Sequence, residues 1–598
     1  MSDGEVTQMK RLTMLSNQLR GLTHAITRYP LTTAFFLSAA VINTITIHTG
    51  ESYIKLILAC VVGAVLCAAL QATYERFFNK PSARFLLMGA GIALTLAYYL
   101  IIKTSPRFGE ELGIRTLVAL LALFFAYIWL PVIRSKISFN ESFMAAFKSF
   151  FHSIFYSAVI FGGCSLIISA IDLLIVDIPS KAYAHTANIV FIVFAPLFFL
   201  SLIPIYPRKR DAAKNTEQDD IIERAAFCPR FLEVLISYII IPLTAIFTVI
   251  LLLYILLNIQ GSFWTNNLLE PMLVSYSITI IIVYILSSRL QNKFAALFRL
   301  IFPKVLIPIV VFQIASSIMN LRETGITHTR YFVILFGIFS ACAGVVMSVV
   351  PVQKNGILAA MLIAFSAISI IPPVDAFTVS RMSQENMLKN VLVQNSMLKD
   401  NAIIPNSSIN EEDKKKIVSS VEYLSRMQYT NKVVYMPKDF HVYEDFYNTF
   451  GFEAYGQPEH TRYVTVYLKP EEPINIAGYD VLTRTSINLD ETSNSKISDI
   501  EKAGVKYTLK KEKKGKQYGI ILRGSSDEEI IRFSTDEIFS RYLNKNEDKS
   551  VLSIDEATFT TENDKTKLAV VVQNANMNIS SNNQAYYNAE VYVLVAIK

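Results

Sequence analysis

The chain has 598 residues, of which 52% are hydrophobic and only 18% charged, with a mean hydropathy of +0.38. A soluble protein of this length needs more charged surface, so a wholly soluble chain is excluded. Residues 1–380 carry 28 Lys+Arg against 18 Asp+Glu, a balance of +10, and residues 381–598 carry 28 against 31, a balance of −3. The basic excess therefore lies in the apolar part, where it marks cytoplasmic loops. The later part has no basic stripe interleaved with aromatics, so nucleic acid is not an expected partner.

The first 29 residues are polar enough, and lack a small-residue cleavage site, to argue against a cleavable signal peptide. Within them Met14, Leu15, Leu19, Leu22 and Ile26 recur at helical spacing beside Arg20 and Arg28. That pattern suits an amphipathic helix on an anionic inner leaflet. A bilayer core takes about 20 apolar residues per helix. Runs of that kind predict spans near 30–48, 53–71, 84–102, 113–133, 150–171, 187–206, 231–257, 268–288, 305–321, 331–351 and 355–374. Asp172 crowds the fifth and Pro308 interrupts the ninth. Ile137, Phe139, Phe143 and Phe147 form a second amphipathic stretch, read as an interfacial anchor before the fifth span.

With the N-terminus inside, 21 Lys and Arg fall on cytoplasmic segments and 7 on outer ones. This is the positive-inside bias. An odd number of spans then puts the C-terminal part outside the cytoplasm. The expectation is a polytopic α-helical bundle of about eleven spans in a bacterial plasma membrane, followed by a soluble α+β, strand-rich domain. The expected parts are a cytoplasmic segment 1–29, the bundle 30–375, a juxtamembrane helix 376–404 and the soluble domain 405–598.

In that last part Asn410 is placed to cap a helix running to about Met427, and a short helix is expected over 439–449. Strands are predicted at 463–468, 479–488, 505–510, 518–523, 530–533, 568–572 and 591–597, with Thr535 capping a helix to Leu543. Lys511–Gly515 reads as a charged hairpin loop. The lysines there, Lys510, Lys511, Lys513, Lys514 and Lys516, are read chiefly as a solvated tip, with contact to an anionic polymer as the alternative.

No nucleotide-binding, zinc-protease or nucleophile-elbow motif is present. The seven histidines never fall at i, i+3 or i, i+4, and the five cysteines, Cys60, Cys67, Cys164, Cys228 and Cys342, form no C-x-x-C pair. No cofactor or metal is expected, and the reading leans away from an enzyme. Ionisable residues near spans are few. Glu270, followed by Pro271, is the most notable, read first as capping its own helix and alternatively as functional.

Five groups of residues then stand out. Gly325-Ile326-Thr327-His328-Thr329-Arg330-Tyr331 opens the tenth span, while Pro372-Pro373-Val374-Asp375-Ala376-Phe377 and Ser380-Arg381-Met382-Ser383-Gln384 follow the last. With Pro242-Leu243 and Val421-Glu422-Tyr423-Leu424, this order resembles the DUF4153 family of bacterial membrane proteins. The resemblance implies the architecture and carries over no catalytic residue, since the family has no assigned function. Thr327 is placed to cap the tenth helix, with Arg330 and Tyr331 as an interfacial anchor pair. The alternative is an ion pair between Arg330 and Asp375.

Three functions fit. The first is a non-enzymatic protein whose extracytoplasmic domain binds a ligand, an envelope polymer or a partner protein. The second is a transporter or flippase, favoured by a cavity lined by Glu270, Gln313 and Asn320. The third is a transferase acting on lipid substrates, which needs acidic, His or Arg residues clustered at one membrane face.

Overall fold

The computed structural model describes residues 21–598, apart from 105–107, 207–215, 259–269, 455–461, 489–493, 515–516, 544–549 and 580–584. Most of the amphipathic stretch from Met14, and the uncharged flank at Trp264–Asn267, lie outside the described residues. The chain forms two compact units, Met1–Gly451 and Phe452–Lys598.

Among the described residues eleven helices are long and apolar enough to cross a membrane. They are α1 (Pro30–Thr49), α2 (Ile54–Phe77), α3 (Pro81–Lys103), α4 (Glu110–Val132), α5 (Phe139–Leu174) and α6 (Lys181–Leu202). Then come α7 (Asp219–Leu257, broken at 227–229), α8 (Glu270–Arg289), α9 (Lys293–Thr324), α10 (His328–Val349) and α11 (Val352–Ile370). The protein is a polytopic helical bundle followed by a strand-rich part.

Two helices are longer than the apolar runs indicate. Phe139–Phe147 is no separate interfacial anchor but the first turns of α5. Ser138 and Glu141 form a capping box there, and Phe139 and Phe143 are buried in the core. The α9 helix passes through Pro303 and Pro308 without ending. In lipid the neighbouring helices make such an interruption tolerable. At the same end as the α5 N-terminus, Arg28 grips Glu75 with two bonds of 2.9 and 2.8 Å, and Tyr29 meets Tyr127 at 3.0 Å. A buried charge needs such a partner.

Beyond α11 the first unit continues through α12 (Ala376–Gln394), a two-residue hairpin of β1 (Leu398–Lys399) and β2 (Ala402–Ile403), α13 (Glu411–Arg426) and α14 (Val442–Phe450). Asn410 accepts from the Asp413 backbone N–H at 2.8 Å and caps α13. The α13 face carrying Ile417, Val421 and Leu424 is fully buried and lies against α12. Residues 405–451, grouped by sequence with the soluble domain, therefore belong to the first compact unit.

The second unit is α+β. One sheet has the order β4-β12-β11-β3-β9, with β10 also paired to β11; the other is the meander β5-β6-β7-β8. The strands are β3 (Arg462–Leu468), β4 (Val481–Asn488), β5 (Ser495–Lys502), β6 (Val505–Lys514), β7 (Gln517–Arg523), β8 (Glu529–Ser534), β9 (Val551–Leu552), β10 (Thr558–Glu562), β11 (Thr566–Ile579) and β12 (Ala585–Ile597). Val570, Val572, Val591 and Val593 from one sheet share a core with Leu509, Ile520 and Leu522 from the other. Helix α15 (Asp536–Leu543) adds Ile538, Phe539 and Tyr542.

Lys511–Lys514, expected in a loop, are the end of β6 and pair with 517–520 of β7. Charged side chains fit there because they have partners. Glu512 and Arg523 form a two-bond pair at 2.8 and 2.7 Å. Lys510 meets Asp527 at 3.1 Å, and Lys511 donates to the Ser486 carbonyl at 2.9 Å.

Candidate functional site

The residues that stand out in sequence converge at one end of the bundle, where α4 and α10 begin and α11 ends. Gly325 makes the turn between α9 and α10 with φ +67° and ψ −179°. That backbone region belongs almost solely to glycine. The turn is clamped by α12. Gln384 Nε2 donates to the carbonyls of Thr324 at 2.8 Å and Ile326 at 3.2 Å. Ser383 Oγ accepts from the Ile326 N–H at 3.0 Å. Each of these groups would otherwise be an unpaired polar group in a buried turn.

Thr327 occupies the N-cap of α10 and accepts from the Arg330 N–H at 3.4 Å. Tyr331 donates its hydroxyl to the Val374 carbonyl. Arg330 is buried, and its guanidinium donates to Thr324 Oγ1. Asp375 takes a different partner, Arg115 on α4, at 2.6 Å. The ion pair drawn between Arg330 and Asp375 is thus made by Arg115.

Asp375 is fully buried and caps α12, accepting from the N–H groups of Phe377 at 3.0 Å and Thr378 at 3.1 Å. Burial by itself favours its neutral form. The hydrogen bonds from Thr378, the Arg115 charge and the Phe377 N–H outweigh that and hold its carboxyl below the usual range. Arg115 also bonds Glu111 at 2.9 Å, one turn before it, and stacks over Phe377 with its guanidinium carbon 4.8 Å from the ring centre.

His328 completes the cluster. Its ring lies parallel to Phe377 at 5.6 Å, and its Nε2 is 3.2 Å from Glu110. The Tyr423 hydroxyl of α13 accepts from the His328 backbone N–H at 3.2 Å, sits 3.1 Å from its Nδ1, and donates to Ser380 Oγ at 2.7 Å. Arg426 lies 3.7 Å from Glu110, and the Tyr429 hydroxyl donates to Glu111 at 2.7 Å. Burial, then the Glu111 carboxylate, pushes the Tyr429 hydroxyl far above its ordinary pKa, so it stays a donor.

The sequence reading thus named Thr327, Arg330, Tyr331 and Asp375, and all four lie in this joint. It missed Glu110, Glu111 and Tyr429, and held Arg115 only as an ionisable residue near a span end and His328 and Gln384 only as members of the quoted motifs. Charged residues in the first two turns of an otherwise apolar span were the available signal for Glu110, Glu111 and Arg115. Glu270 lies elsewhere, at the start of α8, where it accepts from Ser317 Oγ of α9 at 2.8 Å. Leu243 lines a groove of about 440 Å3 with Pro271, Met272 and Tyr276 of α8. Among the described residues no group of three His, Cys, Asp or Glu side chains is arranged to hold a metal ion.

No curated protein and no solved structure matches this chain. One family model, described as a domain of unknown function (DUF4153), matches residues 34–405. That range holds three of the four elements that build the joint, α4, α10 and α12, and stops short of α13. With more than half of the sequence inside the match, the chain belongs to the DUF4153 family.

Proposed function

We propose that this is a non-enzymatic protein of a bacterial plasma membrane that displays a strand-rich domain outside the cytoplasm, where it binds a ligand, an envelope polymer or a partner protein. The observation that carries the reading is the joint. Its charged and polar groups are committed to one another: Asp375 to Arg115, His328 and Arg426 to Glu110, and Tyr429 to Glu111. Such a cluster has the residue types a lipid transferase would need, but a set of mutually paired groups is suited to holding α12 and α13 in place. The outward orientation rests on the 21-to-7 split of basic residues and on the odd number of spans.

Two reporters fused after Lys598 test it, one active only outside the cytoplasm and one active only within. Activity of the outer reporter alone is the expected result. Activity of the inner reporter overturns the reading.

One observation favours transport as a second reading. Gln313, singled out with Glu270 in the sequence, is buried on α9, and its Nε2 has no hydrogen-bond partner among the described residues. It lies one turn from Ser317, the partner of Glu270. The Asn320 side chain is outside the described residues. Replacing Gln313 by Leu decides its role. A structural site becomes more stable when an unpaired buried amide is removed, whereas a transport path loses solute flux in reconstituted vesicles.

A further inference from the structure

The end of the bundle opposite the joint carries a cavity of about 700 Å3. It lies where α4 gives way to α5, beside the end of α8 and the start of α11. One side is apolar, with Trp129, Ile133, Ile357, Ala360 and Met361. The other carries Arg134, Lys136, Arg289 and Lys354 against one acid, Glu141. Four cations and one anion leave this lining at +3.

Only one of those cations is engaged. Arg289 meets Glu141 at 3.0 Å and remains half exposed. Arg134, Lys136 and Lys354 are exposed and have no side-chain partner among the described residues. The cavity is held open by a fixed frame. Asn140 Nδ2 donates to the Val352 carbonyl at 2.9 Å, and Asn355 Nδ2 donates to Asn140 Oδ1 at 3.0 Å, tying the start of α5 to the start of α11. Gly356 lets the Trp129 ring close against α11, since a Cβ there would stand 2.8 Å from the indole nitrogen.

Basic residues at a cytoplasmic loop need no explanation beyond topology. Their convergence from two separate turns onto one cavity with an apolar wall is a different matter. Its size is that of a small-molecule site. Free cations beside an indole and aliphatic side chains match a group that is negative at one end and hydrocarbon at the other.

We propose that this cavity binds a phosphate-bearing anion, supplied as the headgroup of a net-anionic phospholipid whose chains lie along Ile357, Ala360 and Met361. Arg134, Lys136 and Lys354 hold the phosphate, and Trp129 sits at the level of the glycerol.

The chain has two tryptophans, so Trp129 becomes a single reporter in a full-length W264F protein. That protein is reconstituted in phosphatidylcholine vesicles containing a fifth of either brominated phosphatidylglycerol or brominated phosphatidylcholine. Brominated phosphatidylglycerol should quench Trp129 at least twofold more strongly. R134Q/K136Q/K354Q should abolish the difference, and R134K/K136R/K354R should restore it, which separates lost charge from lost folding. Equal quenching by the two lipids, or a preference that survives the glutamine variant, overturns the proposal. Millimolar inorganic phosphate forms the third arm. If it raises the thermal stability of the parent and not of the glutamine variant, while the lipids quench equally, the anion is free phosphate and the lipid assignment fails.

Discussion

Asp375 and Arg115 stand 260 positions apart in the sequence and meet at 2.6 Å, with the carboxylate wholly buried. The pair joins the cap of α12 to the second turn of α4. Removing one member of a buried pair leaves the other charged and unsatisfied, at a cost of about 3–5 kcal/mol. Arg115→Gln should therefore lower the thermal stability of the purified protein by that order. A loss under about 1 kcal/mol would show that the pair is not what holds α12.

Arg115 and Arg330 are told apart by a double-mutant cycle with Asp375. Coupling of Arg115→Gln with Asp375→Asn should fall in the range of about 1–3 kcal/mol, as for residues in direct contact. The same cycle with Arg330→Gln should stay within about 0.5 kcal/mol. Equal coupling for both arginines contradicts the geometry.

Gly325→Ala should be costly for two reasons. Its backbone conformation is one that residues with a Cβ avoid, and the added carbon would lie 2.8 Å from Gln384 Nε2. A loss of about 1–3 kcal/mol is expected, and it should be partly recovered by Gln384→Ala, which clears the space. Unchanged stability in G325A would mean that the turn has another accessible form.

Tyr423→Phe keeps the ring and removes only the hydroxyl that meets His328 and Ser380. The expected cost is about 1–3 kcal/mol. Hydrogen exchange gives the sharper readout: amides of α12 and α13 should exchange faster, while those of α2 and α3 stay protected. Uniform acceleration would point to global destabilisation instead.

The pH dependence follows from the depressed Asp375 pKa. A carboxyl whose folded pKa lies below its unfolded value of about 3.9 adds stability that is present above that value. This contribution is lost as pH falls through the folded pKa. The stability gap between the parent and R115Q should be constant from pH 7 to pH 5 and narrow below about pH 4. A gap that narrows already near pH 6 would assign the effect to another group.

The bundle was legible because hydrocarbon imposes one simple rule, a run of about 20 apolar residues, and each of the eleven spans obeys it. The ends were less legible. Phe139–Phe147 reads as amphipathic by itself, yet its aromatic face is covered by Phe125 and its neighbours within the core. Lys511–Lys514 has the composition of a loop, and only the cross-strand Arg523 makes Glu512 a strand residue. The joint was half legible. Gly325, Thr327 and Asp375 have local backbone roles that sequence expresses, whereas Arg115 and Asp375 are partners only through the packing of α4 on α11. No spacing rule reaches across 260 positions.

The joint also ties α13 to two membrane helices together. Tyr423 on α13 and Tyr429 just after it both reach the bundle. Tyr423 meets His328 of α10, and Tyr429 meets Glu111 of α4, which also bonds the Arg115 that holds Asp375. Those contacts resist together, because α13 cannot lift without breaking bonds to both helices. A shift of α13 is therefore felt at two membrane helices at once.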